Sequence, residues 1–288
     1  MIIDAHAHLW QKQQGIVGGK PVFDVGGGKS DFGGEVRQMM PPYMTDGVNS
    51  VERFLANMDY AGVSGAVITQ EYIDGNQNEY LLACRSDRIK ICALYEEKML
   101  GDISCFDGIK ICASRLSDKN LLNHLEPFRV ANEQGKFISI DLADGDEQTE
   151  MMQEITDMFP ELRIAIGHFG MVTRDGWQSQ IKLAKNKNVF IESGGITWLF
   201  NSEFYPYPSA VDAIIQAADL VGFDKLMWGS DYPRTMTAIT YKMSLDFIEK
   251  SEKISEKNKR LFLGENARKF YGFKALPVPQ KVKNMVED

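Results

Sequence analysis

The feature that most constrains the fold is a regular alternation of short apolar runs with longer helical patterns along most of the 288-residue chain. The runs are rich in β-branched residues and short enough to be single buried strands. Strands that alternate with helices form βαβ units in a parallel sheet. The eight predicted strands are residues 2–6, 64–69, 89–94, 108–113, 136–141, 162–168, 188–193 and 225–230.

Helical periodicity fills most of the intervals between these runs. In residues 49–61 the apolar side chains recur at helical spacing, and Asn49 is placed to cap the start while Gly62 marks the stop. The connection between the third and fourth strands is short and has room for only a turn of helix. The other predicted helices are residues 121–133, 148–159 and 209–220.

Eight such units in a chain of this length predict a single-domain α/β fold, the (β/α)8 or TIM barrel. We expect the barrel to occupy residues 1–275 and a Pro-punctuated, charged tail to occupy residues 276–288. The first βα connection, about residues 11–49, is long and rich in glycine. Its composition predicts a loop without secondary structure that covers the mouth of the barrel.

Charge and composition exclude several classes of function. The net charge is −8, from 32 basic and 40 acidic residues, which argues against nucleic acid as a partner but permits a small anionic substrate. The four cysteines form no CxxC pair, so we expect reduced thiols. The chain has no signal-peptide pattern and no apolar run of membrane-spanning length, so a cytoplasmic protein is expected, and a homo-oligomer is possible.

Two of the four histidines, His6 and His8, lie at the end of the first predicted strand. Side chains two residues apart in a strand share a face, so both imidazoles can bind one cation or one substrate group, with solvated loop histidines as the alternative. Asp231 follows the eighth strand, which pairs with the first in a closed barrel. It is therefore a candidate metal ligand and a candidate base for an attacking water, with a turn-forming aspartate as the alternative.

His168 ends the sixth predicted strand, and the active sites of such barrels lie at the C-terminal ends of the strands. We expect it to polarise a substrate carbonyl, with a packed structural histidine as the alternative. The fourth histidine, His124, lies in a helical pattern and is expected to be a surface or helix-packing residue.

Basic side chains near other strand ends are candidates for substrate binding. Arg234 follows Asp231 closely and can clamp a carboxylate with its two-pronged guanidinium, and Arg37 in the long first connection is a similar candidate. Lys110 in the fourth strand is a third. Glu71, Asp141 and Glu192 are weaker candidates at other strand ends. For these three and for Lys110, an interior polar layer of the barrel or a turn residue is the alternative.

Four segments together resemble the amidohydrolase superfamily, in its amidohydrolase-2 branch: IIDAHAHLW, IAIGHFG, MWGSDYPR and LGENARKFYGF, in that order. The resemblance implies a (β/α)8 barrel in which His6 and His8 bind a divalent cation, commonly zinc. It implies that Asp231 is a ligand or base and that His168 contacts substrate. The branch contains lactone hydrolases and decarboxylases of unsaturated acids, and VITQEYIDGNQNEYLL looks more like the lactonases that act on sugar-acid lactones.

One position departs from the pattern. Many metal-dependent members have a histidine at the end of the fifth strand, where this chain has Asp141. Some lactonases of the branch work without metal, and His6 and His8 would then bind substrate instead. The leading hypothesis is a hydrolase that opens a lactone. A metal-dependent decarboxylase and a non-catalytic ligand-binding barrel are the alternatives.

Overall fold

Eight parallel strands form the central sheet of the computed structural model, which describes residues 1–97, 99–280, 283 and 285. Each strand pairs with the next one in this sheet, as expected of a (β/α)8 barrel, so the predicted fold is confirmed. The strands are β1 (Ile3–Ala7), β6 (Gly65–Ile68), β7 (Ile89–Leu94), β8 (Gly108–Cys112), β9 (Phe137–Asp141), β10 (Arg163–Ile166), β11 (Val189–Glu192) and β12 (Leu226–Met227).

The barrel closes between β1 and the segment that follows β12. The Ala5 amide donates to the Trp228 carbonyl, and the Asp231 amide donates to the His6 carbonyl, both at 2.9 Å. The last strand is thus shorter than the predicted 225–230, but its continuation still pairs with β1. This closure brings the residues after β12 beside the two histidines of the first strand.

Helices lie between most of the strands and cover the outside of the barrel. Ser50, and not Asn49, caps the first helix through its side chain, and Gly62 ends it in the left-handed conformation as predicted. The described part of the connection between β7 and β8 contains turns but no helix. The helices are α1 (Val51–Ala61), α2 (Asn78–Cys84), α3 (Leu125–Glu133), α4 (Thr149–Met158), α5 (Trp177–Lys182), α6 (Pro208–Val221), α7 (Met243–Glu249), α8 (Glu256–Arg260) and α9 (Asn266–Tyr271).

The first βα connection contains an antiparallel sheet, and the prediction of a segment without secondary structure was wrong. We call this the cover sheet; its strands are β2 (Gln14–Val17), β3 (Lys20–Asp24), β4 (Lys29–Phe32) and β5 (Val36–Gln38). Gly18 and Gly19, both at positive φ, form the two-residue turn between β2 and β3. The Ile16 amide donates to the Tyr72 carbonyl at 3.0 Å, which ties the cover sheet to the βα connection after β6.

The opposite end of the barrel is sealed by apolar side chains. The interior there holds Ile3, Val67 and Ala165, packed with residues of the last helix. In α9, Tyr271 places its ring 4.8 Å from that of Phe137, in edge contact. The open end is therefore the one where the strands end and where the cover sheet lies. Within the described residues, no helix combines the length and apolar character needed to cross a membrane.

Candidate active site

His6 and His8 lie at the C-terminal end of β1 and are both buried. The pairing of β1 with β6 shifts register between Asp4 and Ala7, and such irregularities re-aim side chains. The Nε2 atoms of the two imidazoles are 3.1 Å apart. The predicted pair therefore meets inside the barrel mouth, with both rings directed at one point.

Asp231 completes this cluster from the segment after β12. Its Oδ1 atom lies 3.0 Å from His8 Nε2 and 3.9 Å from His6 Nε2, while Trp198 Nε1 donates to its Oδ2 at 2.9 Å. Burial raises the pKa of Asp231, but the hydrogen bond with His8 and the charge of Arg234 outweigh burial and hold the pKa below its usual value. The carboxylate is therefore ionised and can bind a cation or accept a proton.

Backbone strain coincides with two of these side chains. Asp231 has φ of 57° and His168 has φ of 58°, in the left-handed region that non-glycine residues rarely adopt. Such conformations cost about 1–3 kcal/mol each and cluster at functional sites. Both residues line the cavity at the mouth of the barrel.

His168 follows β10, and its Nδ1 donates to the Gly194 carbonyl at 2.8 Å. Its Nε2 lies 3.5 Å from Asp141 Oδ2. Burial lowers the pKa of His168, but the charge and hydrogen bond of Asp141, followed by the charges of Asp231 and Glu192, outweigh burial and raise the pKa to about 10. The imidazole is therefore a cation at neutral pH and a candidate donor to a developing oxyanion.

Glu192, at the end of β11, binds His6 from behind. Its Oε1 lies 2.6 Å from His6 Nδ1, and its Oε2 accepts the Gly194 amide at 2.6 Å. Because a carboxylate only accepts, the proton of a neutral His6 is on Nδ1, and Nε2 presents its lone pair to His8 and Asp231. The sequence singled out Glu192 as a weaker candidate at a strand end, with an interior polar residue as the alternative.

Lys110 lies in the interior of the barrel, fully buried beneath Asp141. Its Nζ is 2.6 Å from Asp141 Oδ1, at angles that make the contact an ion pair more than a directed hydrogen bond. Burial lowers the pKa of Lys110, but the charge of Asp141 outweighs it and raises the pKa. Lys110 therefore contacts Asp141, which in turn faces His168. That Lys110 binds substrate directly stays a prediction.

The cluster of His6, His8 and Asp231 fits a divalent cation. One ligand atom from each residue lies within 4.8 Å of the others, and all three residues are buried. A single proton on His8 Nε2 can point either at His6 Nε2 or at Asp231 Oδ1, whereas a cation binds all three atoms together. Two imidazole nitrogens and a carboxylate oxygen are also the donor types that zinc prefers.

A cavity of about 580 Å³ opens above this cluster. His8, His168 and Asp231 lie at its floor, and three arginines line its walls: Arg37, Arg115 and Arg234. Arg234 is anchored by Asp74, with 2.7 Å between Nη2 and Oδ2. Arg37 lies in β5 of the cover sheet, paired with Glu35, and its side chain is 54% exposed. The cavity thus combines a polar floor with walls that carry three guanidinium groups, alongside the carboxylates of Glu71 and Asp144.

Comparison with protein families places residues 114–273, more than half of the chain, in the amidohydrolase family. The chain belongs to this family. The resemblance inferred from its motifs is thereby confirmed, and so is the expectation of a hydrolase at the level of the family. Comparison with curated proteins gave no match.

Solved structures share the fold of this amidohydrolase at low sequence identity. A probable 2-pyrone-4,6-dicarboxylic acid hydrolase from Acinetobacter baumannii matches with a TM-score of 0.69 and 18% identity, over 94% of this chain and 99% of its own. A zinc-bound amidohydrolase from Burkholderia multivorans matches with a TM-score of 0.68 and 14% identity, over 96% of this chain and 100% of its own. A manganese-bound 5-carboxyvanillate decarboxylase from Novosphingobium aromaticivorans matches with a TM-score of 0.57 and 17% identity, over 78% of this chain and 82% of its own.

Two residues of the amidohydrolase site had no place in the sequence-based prediction. Trp198, which donates a hydrogen bond to Asp231, lies shortly after β11, beyond the Gly194-Gly195 pair. Its place near the end of a strand is the sequence signal that could have marked it as a site residue. Asp74, which anchors Arg234, lies in the connection after β6. His124, as expected, is a packing residue: its Nδ1 is 3.0 Å from the Tyr95 hydroxyl, and it precedes α3.

Proposed function

We propose that this amidohydrolase opens a lactone that carries a carboxylate, by attack of water at the barrel mouth. The observation that carries the proposal is the convergence of His6, His8 and Asp231 on one point at the floor of an arginine-lined cavity. The floor can activate water and polarise an ester carbonyl, and the walls can hold an anion.

A divalent cation, zinc in the first place, would be held by His6, His8 and Asp231. It would favour deprotonation of a water molecule and polarise the carbonyl of the substrate. The metals of two relatives support this choice, since one solved structure contains zinc and another manganese. The loss of the strand-five histidine leaves three protein ligands, the number common in catalytic zinc sites.

Asp231 and His168 divide the proton transfer and the charge stabilisation between them. Asp231 takes a proton from the attacking water, whose oxygen forms the new bond to the carbonyl carbon. The ester bond to the ring oxygen then breaks, and the proton passes to that oxygen to give the open hydroxy acid. His168, held as a cation by Asp141, donates to the carbonyl oxygen as negative charge develops there.

The arginines supply the preference for an anionic substrate. Arg234 is buried except for a small part of its side chain, and its anchor Asp74 fixes one edge of the guanidinium. Arg37 lines the same cavity from the cover sheet. The name of the Acinetobacter baumannii relative describes a hydrolase of a pyrone dicarboxylic acid, and a 2-pyrone is a cyclic ester that fits the same chemistry.

The test is hydrolysis of a panel of lactones, namely sugar-acid lactones and 2-pyrone-4,6-dicarboxylate, before and after removal of metal with a chelator. We expect turnover that is lost on chelation and restored by zinc. The Asp231→Asn variant should lose about 10²- to 10⁴-fold in rate, the usual contribution of a positioned acid–base group. Asp212→Asn, which removes an exposed carboxylate on α6, is the matched control.

Two other outcomes of this experiment would support a different role for the site. Undiminished lactone opening without metal would reassign His6 and His8 to substrate binding. Release of carbon dioxide from an unsaturated acid, without lactone opening, would support the decarboxylase alternative, for which the likeness to the Novosphingobium aromaticivorans enzyme is the specific support.

A further inference from the structure

A second cavity, of about 730 Å³, lies beside the first. The two cavities share Ser114 and Arg115, which follow β8 directly. Arg115 is held from the side by Glu71, with 3.2 Å between Nε and Oε1. Both volumes fall in the range of about 300–1,000 Å³ that is usual for small-molecule sites. The site of the proposed reaction therefore continues past Arg115 into a further space.

The cover sheet forms part of the wall of both cavities. Residues 37–39, at the end of β5, line the first cavity, and residues 16–19, around the turn between β2 and β3, line the second. A ligand that runs beneath the sheet can thus contact Asp231 at one end and the β2–β3 turn at the other. This arrangement favours an elongated substrate over two unrelated small ones.

The chemistry of the second cavity differs from that of the first. Asn76 and Glu96 line it and are hydrogen-bonded to each other at 2.7 Å, so their polar ends are held in place. Glu97 is held in the same way by the hydroxyl and amide of Ser117. Apolar and aromatic surface lies between these groups, from Val17, Tyr72, Leu94 and Leu116.

This mixture suits a carbohydrate more than a second anion. Carboxylate, amide and hydroxyl groups pair with sugar hydroxyls as donors and acceptors, and the apolar side chains contact the C–H faces of the ring. The two carboxylates of Glu96 and Glu97 offset the charges of Arg115 and Lys119. The first cavity, with three arginines, keeps the preference for the carboxylate end.

We propose that the second cavity is a subsite for a further sugar unit, so that the substrate is a glycosylated sugar-acid lactone. The lactone ring lies at the floor of the first cavity, and the attached sugar lies under the β2–β3 turn. The identity of the reacting end rests on the proposed function, whereas the subsite itself is a binding site that can be measured without turnover.

The experiment is calorimetric binding of two open-chain acids to the full-length protein: gluconate, with one unit, and lactobionate, which carries an additional galactose. Val17→Trp fills the second cavity from β2, and Val36→Trp places the same bulk at an exposed position of β5 as the matched control. Glu96→Gln, which removes a carboxylate of the subsite and keeps the size of the side chain, provides an independent variant.

We expect the wild-type protein to bind lactobionate at least tenfold more tightly than gluconate. Val17→Trp should abolish this ratio without weakening gluconate, Glu96→Gln should reduce it, and Val36→Trp should preserve it. Equal affinity for the two acids in the wild type, including no detectable binding of either, would overturn the subsite. So would an equal loss for both acids in Val17→Trp. Turnover of the lactone panel described above, measured separately, decides the proposed function without affecting this comparison.

Discussion

Glu192 Oε1 lies 2.6 Å from Nδ1 of His6, inside the barrel and below the open cavity. The contact joins β11 to β1, which are separated only by β12, and leaves Nε2 of His6 as the atom that faces His8 and Asp231. A carboxylate behind a metal-ligating histidine is a common arrangement, because it fixes the tautomer and the direction of the ring. The metal site that we propose therefore depends on Glu192 as well as on the three ligands.

Replacement of Glu192 by glutamine tests this dependence. The amide can donate or accept, so it no longer enforces the proton on His6 Nδ1. We expect zinc affinity to fall about 10- to 100-fold, the usual effect of losing such a partner. The measurement is competition with a coloured chelator, and circular dichroism confirms the fold. Unchanged affinity would mean that Glu192 has only a packing role.

Gly229, after β12, provides a steric test of the same contact. A Cβ atom there would lie 2.7 Å from both His6 Cβ and Glu192 Oε2, closer than atoms can approach. We expect Gly229→Ala to displace His6 and to abolish high-affinity zinc binding. Gly101→Ala is the control, since a Cβ atom at that position meets nothing within 4 Å. Wild-type affinity in Gly229→Ala would contradict the account of the site.

Asp74 links the cover sheet to Arg234. Its Oδ2 anchors the guanidinium, and its Oδ1 accepts from Gln13 at 3.1 Å, which in turn accepts from Ser30 of β4. We expect Asp74→Asn to raise KM for a carboxylated lactone about tenfold, because a hydrogen bond to a charged group contributes about 1.5–3 kcal/mol. The kcat should change less. A fall in kcat alone would show that Arg234 does not hold the substrate carboxylate.

Asp107, at the end of the barrel opposite the site, gives a prediction on pH and stability. Burial raises its pKa, but the charge of Lys90 and the hydrogen bonds from the Ile91 amide and Arg85 outweigh burial, so the pKa lies below its usual value. Such a carboxyl stabilises the fold above the pKa of the unfolded chain. That contribution is lost as the pH falls through the folded pKa.

We therefore expect Asp107→Asn to lower the free energy of unfolding by about 1–3 kcal/mol at pH 7, because hydrogen bonds between charged groups are lost. The loss should be much smaller in acid. Thermal unfolding at pH 7 and pH 3 measures both. Glu133→Gln removes an exposed carboxylate that pairs with Arg129 and should change little at either pH. An equal loss at pH 7 and pH 3 would contradict the assigned pKa.

Much of the barrel could be predicted from the sequence, because buried parallel strands consist of short apolar runs whose signal is local. The strands and α1, α4 and α6 agree with prediction to within a few residues. The helix α2 was not predicted, since its seven residues are too few to show a clear helical periodicity. The last strand is shorter than predicted, because after Met227 the chain bends towards Asp231 in an irregular path.

The cover sheet could not be recognised from composition, since its strands are short and glycine is frequent in the turns between them. Its stability comes from distant contacts, such as the backbone bond from Ile16 to Tyr72. A local signal did exist: the Gly18-Gly19 pair between two β-prone runs is typical of a two-residue hairpin turn. The same glycines are also typical of a loop, which is why the sequence predicts a loop for this segment.

For the site, the sequence indicated the side chains that follow strands but not the partners that hold them. His6, His8, His168 and Asp231 were predicted to meet because the ends of barrel strands converge. The contacts of Trp198 with Asp231 and of Asp74 with Arg234 join residues from different βα connections, whose paths no local pattern encodes. Lys110 was placed in the correct strand, but only the structure reveals its pairing with Asp141.

The central claim is that His6, His8 and Asp231 hold one divalent cation, and zinc titration of the metal-free protein tests it most directly. The account predicts one high-affinity zinc ion per chain, lost in His8→Asn and retained in His124→Asn, which removes the histidine that packs beside Tyr95. The absence of tight binding in the wild type, or equal binding by both variants, would contradict the account.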